Sequence, residues 1–414
     1  MLDHEYKLVC GENECTACGA CVQICPKECI TYQANNHETL RAVKNNKDCI
    51  SCNLCKKVCP QLNVIEGNKS RECYAGWSND NKIRLKSASG GIATELYKYY
   101  ADIKGYYAGV LVDESMQVSY KLVSGKEKYD IFQNSKYVHS DTKDVFKNIA
   151  EVLKRDNKVL FIGLPCQVAG LKRYLQVKKI DDTQLMTVDL VCHGTTPNKF
   201  LIEHIKSIEQ KKNKNAQELR FRDPNYGTQY FVFSLYENNK VFYHKRVNRN
   251  DYYQIGYHSG ISYRDNCYTC KYATTMRMGD MSLADFSGVG SIDPCNYTGR
   301  NVSCILINTD KGKELIANMK ADNYIYCELR PIEEELNTEG QLHRPTAVTN
   351  ERKIFLHSYE LQKSFELAMK EAGRKICVKN ELKYFLCIEK IKNVVSCYMP
   401  SNVKKLIKHL LKRT

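Results

Sequence analysis

The chain has 414 residues, 43% of them hydrophobic and 26% charged. That is enough for about two to four domains and excludes a wholly disordered chain. Lysine and arginine outnumber aspartate and glutamate by 62 to 47, a formal charge of +15 that favours acidic partners, phosphates or an anionic lipid surface. No run reaches the 18 apolar residues of a spanning helix, and MLDHEYKLVC lacks the basic-then-apolar order of a signal peptide. The expectation is a cytoplasmic chain that neither spans a membrane nor is exported. Cysteines number 21, and ten of them precede residue 60. A chain this long buries its own core without staples, and in a reducing cytosol a dense, regular set of cysteines points to metal or redox chemistry rather than cross-links.

Residues 15 to 26 read CTACGACVQICP and residues 49 to 60 read CISCNLCKKVCP, a duplication offset by 34 residues. Each copy is C-x-x-C-x-x-C-x-x-x-C-P. Three close thiolates hold three corners of a 4Fe-4S cubane, and the fourth cysteine, before its proline, reaches the neighbouring cluster. Cys15, Cys18, Cys21 and Cys59 are thus assigned to one cluster, and Cys49, Cys52, Cys55 and Cys25 to the other. Structural zinc, the rival reading, uses C-x(2–4)-C pairs separated by a longer stretch and has no need of the Cys-Pro. Residues 1 to about 66 resemble the two-cluster bacterial ferredoxin domain. The stretch between the copies, with Asn35 and Asn36 at its turn, reads as a hairpin.

After a polar linker, QLNVIEGNKSRE, strand-like runs alternate with helical patterns: CYAGWS, a helix over 89 to 100, YYAGVLV, a helix ending near Arg155, KVLFIG, a helix over 168 to 175, and LMTVDLV. This predicts an α/β body with a largely parallel or mixed sheet. LRF, YFVFSLY and KVFYHK read as strands of that sheet or of a second lobe, and a long helix is predicted over 352 to 371.

Cys166 follows Pro165 where a strand gives way to a helix, so its thiolate would face the positive end of a helix dipole. Cys192 ends another buried strand, and Cys267 and Cys270 form a C-x-x-C. From spacing alone the four fit a third cluster, a redox pair, half a zinc site or plain core packing.

Several motifs in order then carry a resemblance: SASGG at 87 to 91, SKYVHS at 135 to 140, GLPCQVAGLKRYL at 163 to 175, DLVCHG at 189 to 194, FRDPNYG at 221 to 227, CYTCKYATTMRMGDMSLADF at 267 to 286 and LINTDKG at 306 to 312. Residues 72 to 360 resemble the coenzyme F-420 hydrogenase/dehydrogenase beta-subunit family. The resemblance implies an iron-sulfur flavoprotein domain that binds FAD and one 4Fe-4S cluster, the cluster held by Cys166, Cys192, Cys267 and Cys270. It also implies electron exchange with a two-electron carrier. Residues 361 to 414 remain as a C-terminal helical extension.

For the flavin, Ser89, Gly90 and Gly91 precede a helix whose bare amides suit a pyrophosphate, with Arg84 and Lys86 upstream; the plainer reading is a helix cap. Lys136 is a candidate phosphate cation and Tyr137 a ring to stack on flavin, although an edge strand has the same look. Asp280 and Asp285 are candidate acceptors for ribose or ring N–H groups, or else turn and strand-end acids. His193 beside Cys192 is a weak catalytic candidate, as proton relay or cluster-tuning hydrogen bond, against a satisfied core histidine. Cys10, Cys29, Cys73, Cys295, Cys304, Cys327, Cys377, Cys387 and Cys397 show no ligand spacing and are read as packing.

The family's usual cation and aromatics are replaced here by Pro224, Thr228 and Ser287, with Ala284 for a common glycine, which puts the acidic deazaflavin in doubt as partner. Deazaflavin, NAD(P)H and ferredoxin remain the candidate electron donors or acceptors, and nothing points to nucleic acid. SNVKKLIKHLLKRT, from Ser401, is a basic amphipathic pattern suited to the inner membrane surface or to a partner, though a helix packed on its own domain looks alike. Two functions follow: an oxidoreductase joining the clusters to an organic substrate through FAD, or an electron-transfer subunit that only wires a separate enzyme. Some bacterial relatives accompany polysaccharide synthesis, so the resemblance extends to a sugar-related reductive step.

Overall fold

The computed structural model describes residues 6–126, 128–299 and 301–386. The basic amphipathic stretch from Ser401, and Cys387 and Cys397, lie outside the described residues. No helix among the described residues is long and apolar enough to cross a membrane.

The duplicated cysteine region forms an α+β unit of β1 (Tyr6–Leu8), α1 (Ala20–Ile24), β2 (Ile30–Ala34), β3 (Leu40–Asn45) and α2 (Leu54–Val58), with its strands in the order β1-β3-β2. The predicted hairpin is present as β2 and β3. The linker is tied down: β4 (Asn68–Lys69) pairs with β13 (Met276–Arg277), and Gln61 Nε2 donates to the Tyr272 hydroxyl at 3.1 Å.

The body follows as β5 (Glu72–Ser78), α3 (Asn81–Lys86), α4 (Ile92–Asp102), β6 (Tyr106–Val112), β7 (Val118–Ser124), α5 (Val145–Leu153), β8 (Val159–Gly163), α6 (Pro165–Lys178) and β9 (Leu185–Leu190). A second lobe then inserts α7 (Asn198–Lys212), β10 (Glu218–Arg220), β11 (Val232–Glu237), β12 (Lys240–Arg246) and α8 (Tyr252–His258). The chain returns through β14 (Met281–Asp285), β15 (Ser303–Ile307), α9 (Asp310–Ala321), β16 (Ile325–Arg330) and α10 (Glu333–Leu336), and ends in α11 (Asn350–Gln362), α12 (Phe365–Ala372) and α13 (Arg374–Phe385).

The main sheet runs β16-β5-β15-β14-β9-β8-β6-β7. Its centre, β6, β8, β9 and β14, is parallel, and both flanks are antiparallel. VLFIG of β8 is buried at every residue, as expected of a parallel strand covered on both faces. One face carries α4 and α9. The other carries α5 and α6, and the cysteine unit packs on these two helices in a shared core that includes Val58, Phe146, Val168 and Leu171. Gln23 of α1 seals the contact: its Oε1 accepts from the Phe146 amide at 2.8 Å and the Lys147 amide at 3.3 Å, supplying the cap that α5 lacks from its own residues.

The helix predicted over 352 to 371 is two helices. Lys363 adopts φ 51°, and the Ser364 side chain caps a new helix by accepting from the Leu367 amide. The break folds α12 back, so that Phe365, Ala368 and Met369 enter the same core as Phe200 and Phe355. Packing of the body therefore runs past residue 360.

Candidate iron-sulfur sites

The 34-residue offset of the sequence is repeated in the backbone. Ala17 and Gly19 of the first copy, and Ser51 and Asn53 of the second, all take positive φ, and each pair turns the chain into a one-turn helix that carries the third cysteine. Cys25 and Cys59 end those helices with φ −69°, ψ 115° and φ −70°, ψ 116°. The proline that follows each permits no further helix. Main-chain amides reach the first sulfurs: Ala42 N to Cys15 Sγ and Ser51 N to Cys49 Sγ, both at 3.3 Å.

Cys25, Cys49, Cys52 and Cys55 line one recess of about 360 Å³, counted with its open mouth. Cys15, Cys18, Cys21 and Cys59 are each 8% exposed or less and share the core under α6. The helix presses closely on them: a Cβ on Gly170 would lie 2.9 Å from the Cys18 sulfur. Burial pushes the Cys18 thiol up to about 12 and lifts that of Cys21. Hydrogen bonds from Cys10 pull Cys15 down to about 6 and Cys59 to about 7, and the Ser51 amide lowers Cys49. Metal binding requires thiolates, so iron displaces the protons that burial retains.

Two cysteines read as packing lie against these sets. Cys10 lies against Cys15 and Cys59, and their side chains raise its own thiol. Cys29 lines the second recess with its sulfur 3.5 Å from that of Cys25, and burial pushes it up to about 12. Neither has a spacing signature; their positions beside β1 and β2 are the only sequence clue.

The third set converges as the spacing allows. Leu190 of β9 pairs with Leu283 of β14, and Gly163 of β8 with Asp189, so Cys166 and Cys192 leave the sheet at neighbouring carboxyl ends. Cys267 and Cys270, at the turn Asp265–Thr269, close the other side of a recess of about 440 Å³ including its mouth. No carboxylate lines it. Thr16 of the cysteine unit forms part of its wall, and buried Arg264 bridges the two regions, donating to Thr16 O at 2.9 Å and Thr195 Oγ1 at 3.0 Å. Burial raises Cys166 and takes Cys192 up to about 12, with the Arg264 charge opposing in both. Asn266 Oδ1 is buried there without a partner among the described residues. Among those residues no three His, Cys, Asp or Glu side chains converge as a single ion requires. The second and third cysteine sets instead each line a recess, and an all-thiol set around a space fits a cluster better than zinc.

Beside this recess the remaining motifs gather. Asp285 pairs in register with Ser303, and Ser303 with Gly76. Gly90 fits against that level, its amide donating to Ser303 Oγ at 3.0 Å and its carbonyl accepting from Ser78 N. Ser89 donates to Val302 O at 2.8 Å. Gly91, at φ 92°, caps α4 without a side-chain bond. Arg222 binds Asp285 at 2.8 Å and the Tyr137 hydroxyl at 3.4 Å, and Tyr137 stacks on Tyr257 with ring centres 4.5 Å apart. Ser89, Gly90, Gly91, Tyr137 and Asp285 thus meet at one end of the sheet. Arg222, not singled out from the sequence, joins them.

Three expectations change. Asp280 sits at the opposite end of β14, about 17 Å of strand away from Asp285. It is spent on Thr187 N, Thr187 Oγ1 and Thr309 Oγ1, which ties β9 to α9. Lys136 donates to the carbonyls of Phe132, Gln133 and Asn134 at 2.8 to 3.1 Å, and burial drops it to about 7, so its ammonium holds a loop rather than standing free for phosphate. His193 is half exposed and pairs with Glu339 at 3.4 Å rather than being a core histidine. It lines the third recess. Gly90 also has a packing reason, since a Cβ there would lie 2.3 Å from Gly76 O.

A comparison with curated proteins finds no match. Among solved structures, the chain is similar to one from the xenon-derivatised F420-reducing [NiFe] hydrogenase complex of Methanosarcina barkeri, with 19% identity and a TM-score of 0.42, covering 77% of this chain and 94% of that one. Family models match in two places: "4Fe-4S dicluster domain" over residues 14–63, and the C terminus of "Coenzyme F420 hydrogenase/dehydrogenase, beta subunit" over residues 156–335. SASGG and SKYVHS fall outside the second match, whereas all four cysteines of the third set fall inside it. Residues 14–63 thus carry a 4Fe-4S dicluster domain and residues 156–335 the C-terminal domain of the coenzyme F420 hydrogenase/dehydrogenase beta subunit, so the chain is an iron-sulfur electron-transfer protein related to that subunit.

Proposed function

We propose that the chain is an FAD-dependent oxidoreductase in which three 4Fe-4S clusters connect a one-electron carrier to a two-electron carrier or organic substrate. The observation that carries this reading is the position of the Cys166, Cys192, Cys267 and Cys270 recess. Thr16, between the first-set ligands Cys15 and Cys18, walls it on one side, and Asp285 leaves the sheet beside it. Cys25, Cys49, Cys52 and Cys55 would hold the outer cluster, and Cys15, Cys18, Cys21 and Cys59 the inner one. Arg264 offsets the negative charge of the third thiolate set and holds the cysteine unit against the body.

FAD, when bound, supplies the exchange between one-electron and two-electron chemistry. The chain's own residues fit it in part. The uncapped start of α4 at Gly91 offers amides to a pyrophosphate, Tyr137 offers a ring, and Asp285 offers an acceptor held by Arg222. Pro224 leaves the FRDP segment without the family's cation, which puts the acidic deazaflavin in doubt and leaves NAD(P)H or a small organic substrate open.

Anaerobic purification with iron, sulfide and flavin assays tests the proposal. Three clusters require about 12 iron and 12 sulfide per chain. Cys267→Ser is expected to remove about a third of that iron while the dicluster spectrum persists. Full iron content in this variant would move the third cluster elsewhere. Twelve iron with no flavin would leave an electron-transfer subunit that wires a separate enzyme.

A further inference from the structure

We propose that the open face around Cys49 to Cys55 is a docking port for a small acidic one-electron carrier protein. The inference deepens the reading above, because it needs a cluster on the second cysteine set. Of the described cysteines Cys52 alone is fully at the surface, and the recess it belongs to opens outward beside Ile50, which is 57% exposed. The first set is 6 to 8% exposed, and in the third Cys166 and Cys267 are buried while Cys192 and Cys270 are only partly exposed. A protein carrier therefore approaches closest at the second set.

The charge around this mouth is one-sided. Lys27 and Lys44 line the recess, and Lys56 and Lys57 are exposed on α2. None of the four pairs with a carboxylate among the described residues. Arg173 of α6 donates to Lys57 O at 2.9 Å and adds its charge to the same side. Glu28 and Asp48 are the carboxylates in the same two segments, and Asp48 accepts from Asn45. A hydrophobic residue beside an exposed ligand, ringed by cations, suits a carrier whose own redox centre is ringed by carboxylates. In the transfer one electron leaves the reduced carrier, which is oxidised, and the second cysteine set's cluster is reduced; no bond forms or breaks.

The test uses the full anaerobic holoprotein with an acidic two-cluster bacterial ferredoxin as the probe, and dithionite as a reductant that needs no docking. Raising ionic strength from about 0.01 M to about 0.3 M should slow reduction by the ferredoxin at least about tenfold, since the Debye length falls from about 30 Å to below 10 Å. The double variant Lys27→Glu, Lys56→Glu should lower the low-salt rate about tenfold, weaken ferredoxin binding in calorimetry, and flatten the salt dependence. Lys320→Glu, on α9 across the sheet, should change none of these. Iron, sulfide and the extent of reduction reached with excess dithionite should be unaltered in every variant. A ferredoxin rate indifferent to salt and to the double reversal, with iron intact, overturns the port. Wild-type protein that lacks the dicluster iron overturns the cluster reading instead, and the port with it.

Discussion

The two copies of C-x-x-C-x-x-C-x-x-x-C-P share turns, helices and terminal prolines, yet one set of sulfurs lies in a core and the other at the surface. The motif therefore sets ligand geometry, and the surroundings set access. The first set is roofed by α6, whose Gly170 admits Cys18, and is pinned by Gln23 to α5. Among the described residues the second has no such roof. Hydrogen bonds, burial and net charge around a cluster set its potential, so near-identical ligand sets in these two places should differ in potential and in exposure to oxidants.

Removing the roof gives the largest effect. Gly170→Val places new atoms within contact of Cys18 and also of Phe146. Overpacking of this kind costs about 1 to 3 kcal/mol. The expected result is a lower melting temperature together with first-set iron lost more readily to a chelator, while the second set keeps its iron. Unchanged retention of both sets would show that α6 does not protect the first.

The comparison is sharpened by the fifth cysteine at each set. Cys29 and Cys10 both have thiols raised by their surroundings, and an S–H that donates toward a ligand sulfur favours the more negative, reduced cluster. Cys29→Ala is expected to lower the second-set potential, and Cys10→Ala the first-set potential, each by about 20 to 60 mV for one lost hydrogen bond of about 0.5 to 1.5 kcal/mol. Potentiometric titration followed by EPR reads each set separately. A shift of both sets in one variant, or of neither, would remove the tuning role.

Ligand spacing made the dicluster legible, because cubane chemistry is local and leaves its period in the chain. The α/β body was legible in runs such as VLFIG, and the meeting of Cys166 with Cys192 in the fact that both follow buried strands. Contacts between distant segments left weaker traces. Gly170 inside GLPCQVAGLKRYL was a flag, since glycine within a helix usually has a packing reason, but nothing local tied it to Cys18. Asp280 and Asp285 look equivalent in GDMSLAD, and only the strand between them separates a structural acid from one near the candidate flavin cleft. Lys136 looks free in SKYVHS because its three carbonyl partners come from a loop whose shape spacing does not encode.

The smallest expected effect concerns how the two regions stay joined on the hairpin side. Asn35 at the β2–β3 turn donates to Asp265 at 2.7 Å, His37 Nδ1 lies 3.1 Å from the same carboxylate, and Arg352 binds its other oxygen at 2.7 Å. Glu360 sits 3.2 Å from His37 Nε2. The hydrogen bond to Asp265 raises the His37 pKa, with burial opposing. Asp265 is held down to about 2, burial again opposing but outweighed by His37, Asn35 and Arg352. A histidine raised on folding contributes fully below its unfolded value of about 6.5 and loses that contribution as pH rises through its folded value. The depressed Asp265 contributes above about 3.9 and fails only near pH 2. The joint is therefore strongest between about pH 4 and 6.5 and weakens at higher pH by less than about 1 kcal/mol, because Asn35 and Arg352 remain. Hydrogen exchange at the hairpin, corrected for intrinsic rate, should quicken as pH rises above about 6.5, and His37→Asn should abolish that dependence. An unchanged dependence in the variant would place the pH response elsewhere in the contact.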